Sequence, residues 1–215
     1  MTKLIFVRHG QSEANKQGYF TGHINIPLTE IGKKQAENTA EFLKDYEIEA
    51  IYSSDLIRAV QTAEPTAKQH NLKINTSKEL RELNAGEWEG KKFEYLIQNY
   101  PESYGNVWRN DCGRSKADGG ESVLALASRV YAKVNEIAKN HKGQTVAIFT
   151  HATPLRVLSA LWHGYSVEDT NKVNFPRNAS VSIIEYNDNG TFTISLFDYD
   201  KHQGELATHF KLGTV

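Results

Sequence analysis

Three short apolar runs alternate along the chain with helix-patterned segments: Leu4 to Val7 within KLIFVRHG, residues 49–54 (EAIYSS) and residues 145–150 (TVAIFT). Rich in β-branched and aromatic residues and free of proline and glycine, each reads as a buried strand. Such runs are typical of parallel sheets covered on both faces by helices. The segments between them supply the helices. Residues 27–46 place Thr29 at an N-cap position, with Ala36, Ala40 and Leu43 at helical spacing. Residues 56–70 form a second helical stretch, which Pro65 is expected to kink or restart. Residues 120–143 put Val123, Ala127, Val130, Val134 and Ile137 on one face, with Gly143 closing the helix. Residues 154–164 are apolar enough for a buried helix with Pro154 in its first turn. Residues 180–200 alternate as two strands about an Asn189-Gly190 turn. The predicted class is α/β: a three-layer α/β/α sandwich whose mostly parallel mixed sheet ends in an antiparallel hairpin. With no linker, repeat or low-complexity tract, residues 1–215 are expected to form one domain.

Composition narrows the function classes. Hydrophobic content of 39% and charged content of 24% suit a globular protein, and a net charge of −1 offers no basic field for nucleic acid or an anionic membrane. The single cysteine, Cys112, excludes an intrachain disulfide and a cysteine-based zinc cage, and sits in a polar loop sequence with no obvious base beside it. The N-terminal apolar run is too short for a signal peptide, and no membrane-length apolar segment follows. A cytoplasmic location is the expectation. A homo-oligomer is compatible with the sequence and not dictated by it.

Two of the buried runs end in histidine, at His9 and at His151. In a parallel sheet both ends emerge at the same carboxyl edge, where open α/β sheets place ligands. The second run ends nearby and feeds Arg58, and Arg8 precedes His9. Cations gathered in one small volume repel, by roughly 1 kcal/mol or more per pair in water, so such a cluster is expected to hold an anion. Arginine suits phosphate, with its planar fork of donors and permanent charge. The turn at Gly10 is expected to present backbone N–H groups together with the amide of Asn15. Neither a Walker loop nor a GxGxxG fingerprint is present.

In order and spacing, the blocks FVRHGQSEAN, SSDLIRAVQTA, LRELNAGEWEG, GGES and THATPLRVL resemble the histidine phosphatase superfamily, the phosphoglycerate-mutase-like proteins. The resemblance implies that His9 is the nucleophile carrying the phosphoryl group, with Arg8, Arg58 and His151 around its oxygens. It implies that Glu82 gives a proton to the leaving alcohol and then activates water. Asn15 and Thr21 would contact the phosphate. Ala152 would border it where the family often has glycine, and Asn25 replaces an aspartate common before PLT. Glu79, Glu87 and Glu89 lie in the same stretch as Glu82, which ranks first on family position alone.

A phosphate monoester dianion repels nucleophiles until its charge is neutralised. Imidazole, with an ordinary pKa of about 6.5, is largely unprotonated at neutral pH, and neighbouring arginines lower that value further. Neither a separate base nor a metal ion is then required. The chain is short between Glu82 and GGES, and AGEWEG looks like the phosphatase branch. The expected activity is a metal-independent phosphatase acting on a small phosphorylated metabolite, with no cofactor. The alternatives are a 2,3-bisphosphoglycerate-dependent phosphoglycerate mutase and a non-catalytic phospho-ligand binding module. Substrate choice is expected from a lid segment, residues 91–118, through Tyr95, Tyr100, Tyr104, Trp108, Arg109, Arg114 and Lys116. His23 is a candidate to border the pocket.

Overall fold

A computed structural model describes residues 1–104, 116–187 and 190–208 of the chain. Its sheet contains β1 (Thr2–Arg8), β2 (Ile48–Ser54), β3 (Ile74–Ser77), β4 (Thr145–Thr150), β5 (Val181–Tyr186) and β6 (Phe192–Tyr199). The strand order is β3-β2-β4-β1-β5-β6. The first four strands run parallel, β5 pairs antiparallel with β1, and β6 pairs antiparallel with β5. This is the expected mixed α/β sheet with its terminal hairpin at one edge. Of the predicted Asn189-Gly190 turn, Asn189 lies outside the described residues, whereas Gly190 adopts a φ of +83° and its N–H bonds to the Asn187 carbonyl at 3.0 Å.

The central strands are apolar throughout because helices cover both faces. Besides the short helices α1 (Glu13–Gln17) and α4 (Phe93–Asn99), two helices cover one face: Leu4 and Phe6 of β1, with Val146 and Ile148 of β4, join the core beneath α5 (Val123–Asn140) and α6 (Ala152–Trp162). Ile5, Val7, Ala147 and Phe149 point the other way. They meet Leu43 of α2 (Glu30–Leu43) and Ala63 and Ala67 of α3 (Ile57–Gln69). β6, at the sheet edge, shows no such continuous burial.

Local chemistry explains the helix boundaries. The Thr29 hydroxyl accepts the Gly32 N–H at 3.0 Å and starts α2, and the Ser122 hydroxyl does the same for Ala125 at 3.2 Å in α5. Pro65 lies within α3 without ending it, in a partly exposed position while Thr62, Ala63, Thr66 and Ala67 hold the buried face. Packing of that face thus overrides the break the proline suggested. Asn25, the departure before PLT, is structural: its Oδ1 accepts the Ile57 N–H at 2.7 Å, capping a helix whose own N-cap, Leu56, has no side-chain acceptor. Among the described residues, no helix is long and apolar enough to cross a membrane.

Two glycines bring the loop after β1 onto the first turn of α2. A Cβ on Gly32 would lie 2.1 Å from the Gln11 carbonyl oxygen, and one on Gly10 would lie 2.6 Å from the Gly32 carbonyl oxygen. Gly32→Ala should therefore push this loop off α2, lowering stability by about 1–3 kcal/mol as overpacking does. Thermal unfolding measures the loss, and an unchanged melting temperature would contradict the close approach.

Candidate active site

β1 and β4 end side by side, with Arg8 paired in register with Thr150 and the His9 N–H bonded to the Thr150 carbonyl at 2.9 Å. The next residue on each strand is a histidine, and the rings of His9 and His151 stand edge to face with centroids 5.1 Å apart. α2 follows on one face of the sheet and α6 on the other, so a crevice opens between them at this switch point. Arg8, His9, Asn15, Thr21, Arg58, Glu82 and Ala152 all line this cleft. His151, fully buried, lies behind it.

His9 is held in one tautomer. Its Nδ1 lies 2.7 Å from the Gly10 carbonyl oxygen, which can only accept, so Nδ1 carries the hydrogen and Nε2 keeps a free lone pair. Burial, followed by the charges of Arg58 and Arg8, holds the His9 imidazolium pKa well below its ordinary value. His151 is lowered in the same direction, first by burial and then by Arg58 and the His9 ring.

The two arginines are buried against carbonyl oxygens. Arg8 donates to Pro176 at 2.5 Å, and Arg58 donates to Gly22 at 2.9 Å and to Ile24 at 3.0 Å. Neither makes an ion pair among the described residues, and the Nε of each is buried without a partner. Desolvation pulls the pKa of each down to about 10, which still leaves both charged at neutral pH. Two buried cations with unused donors beside an open cleft make a site for an oxyanion.

The four carboxylates between Glu79 and Glu89 separate cleanly. Glu82 alone of them lines the cleft; its Oε1 accepts the Leu83 N–H at 2.6 Å and its Oε2 the Thr153 N–H at 3.2 Å. Glu79 bonds to Ser77, Glu87 to the Tyr100 hydroxyl, and Glu89 to the His23 and Ala85 N–H groups. His23 in turn reaches the Glu82 carbonyl through Nε2 at 2.9 Å. A residue without a marked motif, Arg129 of α5, fixes the same loop. It donates to the carbonyls of Glu79, Arg81 and Glu82 at 2.8–2.9 Å and pairs with Glu121 of the GGES block.

The loop after His9 differs from expectation. Its N–H groups do not face the cleft: Gly10 donates to Thr62, Gln11 to the Gln35 amide and Ser12 to Asn15. The glycine there serves close packing rather than an anion nest. Asn15 lines the cleft, but its Oδ1 is engaged by Ser12 and by Asn178, leaving its NH₂ as the group able to meet a phosphate. Asn178 also donates to the His9 carbonyl at 3.1 Å, a role with no local sequence signal.

Of the expected substrate-facing residues, Tyr104 lines the cleft, joined by Phe93, Phe20, Tyr19 and Phe175. Phe20 packs edge-on to Phe93 and Tyr104, with centroids 6.0 and 6.4 Å away. Tyr95 and Tyr100 instead bracket Lys91 away from the cleft, and Lys116 is exposed. Cys112, Trp108, Arg109 and Arg114 lie outside the described residues. Among those described, no group of three or more His, Cys, Asp or Glu side chains is arranged to hold a metal ion.

A doubly wound sheet with an oxyanion cradle beside an unprotonated imidazole defines a class of phosphate-handling protein, and comparison with known proteins agrees. The chain belongs to the histidine phosphatase superfamily (branch 1), whose family model matches residues 4–199. It is 35% identical over 158 residues, 74% of each chain, to phosphoserine phosphatase 1 of Hydrogenobacter thermophilus. It is 32% identical over 190 residues to a metal-independent phosphoserine phosphatase of Arabidopsis thaliana, covering 87% of this chain and 78% of that one. Among solved structures, YhfR of Bacillus stearothermophilus superposes with a TM-score of 0.89 at 30% identity, covering 94% of this chain and all of the other.

The buried histidines imply a titration test. The unfolded chain protonates its histidines below about pH 6.5, whereas the native fold keeps His9 and His151 neutral, so stability should fall as pH drops through that range. In ¹⁵N-edited spectra of the resting protein, both rings should keep neutral shifts as the pH falls through the ordinary imidazole value of about 6.5. Protonation of His9 at that ordinary value would refute the burial argument.

Proposed function

We propose that this chain is a metal-independent phosphatase that hydrolyses a small phosphate monoester through a phosphohistidine on His9. One observation carries the reading. The Gly10 carbonyl holds the His9 hydrogen on Nδ1, which leaves Nε2 bare in a cleft lined by two arginines that have no carboxylate partner among the described residues. The ester's phosphoryl oxygens take the unused donors of Arg8 and Arg58, and its charge is met by fixed groups rather than by reorganising solvent. The Nε2 lone pair attacks phosphorus, the bond to the alcohol oxygen breaks, and Glu82 protonates the departing oxygen. The Glu82 carboxylate then takes a proton from water as it attacks the phosphohistidine, releasing inorganic phosphate and freeing Nε2. The arginines supply the neutralising charge that a metal ion provides in other phosphoryl-transfer sites. The names of the phosphoserine phosphatase relatives support hydrolysis over transfer. The aromatic wall beside the cradle, with Tyr104 and Phe93 from the 91–118 segment, is the surface proposed to meet the leaving group.

His9→Ala should abolish phosphate release from p-nitrophenyl phosphate, and EDTA should leave the wild-type rate unchanged. Full turnover by the variant would remove the mechanism, and inactivation by EDTA would show a metal enzyme. Glu82→Gln should slow release from an alkyl ester by roughly a hundredfold or more, as loss of a general acid does. It should slow p-nitrophenyl phosphate less, because that leaving group needs little protonation. Equal effects on kcat/KM for the two esters would place Glu82 outside protonation of the leaving alcohol. A panel of phosphomonoesters including phosphoserine and 3-phosphoglycerate, the latter with and without 2,3-bisphosphoglycerate, separates the two activities of this chemistry. Phosphate release should dominate throughout, and faster isomerisation of 3-phosphoglycerate would identify a mutase.

A further inference from the structure

The hydroxyl of Ser54, the fully buried last residue of β2, lies 2.8 Å from His151 Nε2. That hydroxyl oxygen already accepts the Leu56 N–H at 3.3 Å. Its own hydrogen needs an acceptor, and among its described partners only the ring nitrogen can accept it. A ring nitrogen that accepts carries no hydrogen, so in a neutral imidazole the hydrogen resides on Nδ1. His151 Nδ1 is buried and has no partner among the described residues, in a ring 5.1 Å from that of His9. An unused donor is therefore left beside the nucleophile, on the residue that joins the end of β4 to the start of α6.

We propose that Ser54 is a positioning residue that selects the Nδ1–H tautomer of His151, so that a neutral histidine donates a hydrogen bond to the phosphoryl group in flight. The inference rests on the phosphatase reading above for what the donor meets, but not for the tautomer itself. Arg8 and Arg58 already supply positive charge, so a third cation would add repulsion in the empty site, whereas a neutral directed N–H adds a bond without that penalty. Burial and the nearby Arg58 keep His151 in this neutral form. The opposite tautomer would leave Nδ1 with a lone pair and no hydrogen to offer an approaching phosphoryl oxygen.

The test uses the full chain labelled with ¹⁵N-histidine, whose long-range ¹H–¹⁵N spectra distinguish the two neutral tautomers. The wild type should show His151 with its hydrogen on Nδ1, and inorganic phosphate should shift that nitrogen. Ser54→Ala should populate the Nε2–H form. It should lower kcat on p-nitrophenyl phosphate by about tenfold to a hundredfold, short of the complete loss of an oxyanion donor, with KM changed far less. Ser54→Thr, which keeps the hydroxyl, should restore both readouts, separating tautomer control from simple packing. An Nε2–H tautomer in the wild type overturns the proposal, as does a Ser54→Ala enzyme with unaltered tautomer and kcat. The spectra require no turnover. A wild type inert toward every ester would therefore refute the phosphatase reading while the tautomer result stood by itself.

Discussion

The parallel register of β1 against β4 is the constraint on which the rest depends. Pairing Lys3 with Thr145 through Arg8 with Thr150 makes both strands end together, and the His9 N–H closes the ladder on the Thr150 carbonyl. His9 and His151 meet because of that pairing, although 142 positions separate them in sequence. A one-residue slip of β1 against β4 would exchange Leu4 and Phe6 with Ile5 and Val7 between the two cores, so the fit of these side chains to each core holds the register. The helices leaving these two strands lie on opposite faces, and the crevice between them becomes the cleft.

Electrostatics then distinguishes the site from the remainder of the molecule. Arg81, Arg129 and Arg177 each pair with a carboxylate, at 2.6, 2.5 and 2.9 Å. Arg8 and Arg58, more deeply buried, are held by carbonyl dipoles instead. A carbonyl orients a guanidinium without cancelling its charge, so the positive potential survives for a ligand. The same field and the same burial keep the two imidazoles unprotonated, which is the state a nitrogen nucleophile needs. One arrangement thus binds the anion and prepares the group that attacks it.

Much of this was legible from local pattern. The Thr29 cap follows from its hydroxyl, the apolar stripe from Val123 to Ile137 from the helical period of 3.6, and the buried stretches of β1 and β4 from their continuous apolar runs. The motif blocks pointed to His9, Arg8, Arg58 and Glu82, and all four line one cleft. What pattern did not reveal were groups acting across long separations. Arg129 clamps the Glu82 loop from 47 residues away, Asn178 reaches His9 across 169, and Ser54 meets His151 across 97. The loop after His9 misled for a related reason: its glycine suggested an anion nest, but Thr62 and Gln35 take those N–H groups.

By itself, the sequence determined the layered α/β class, the helix and strand identities and the residue types able to handle a phosphate, because hydrophobic period and side-chain chemistry are local properties. Only the tertiary structure decided which of four neighbouring glutamates faces the cleft, which nitrogen of His9 is free, and that two arginines are held by carbonyl oxygens, with no counter-ion among the described residues. Those outcomes depend on where distant carbonyls, hydroxyls and N–H groups come to rest once the sheet has closed. A hydrogen bond specifies a single atom to within a few tenths of an ångström, a precision that no spacing along a chain encodes.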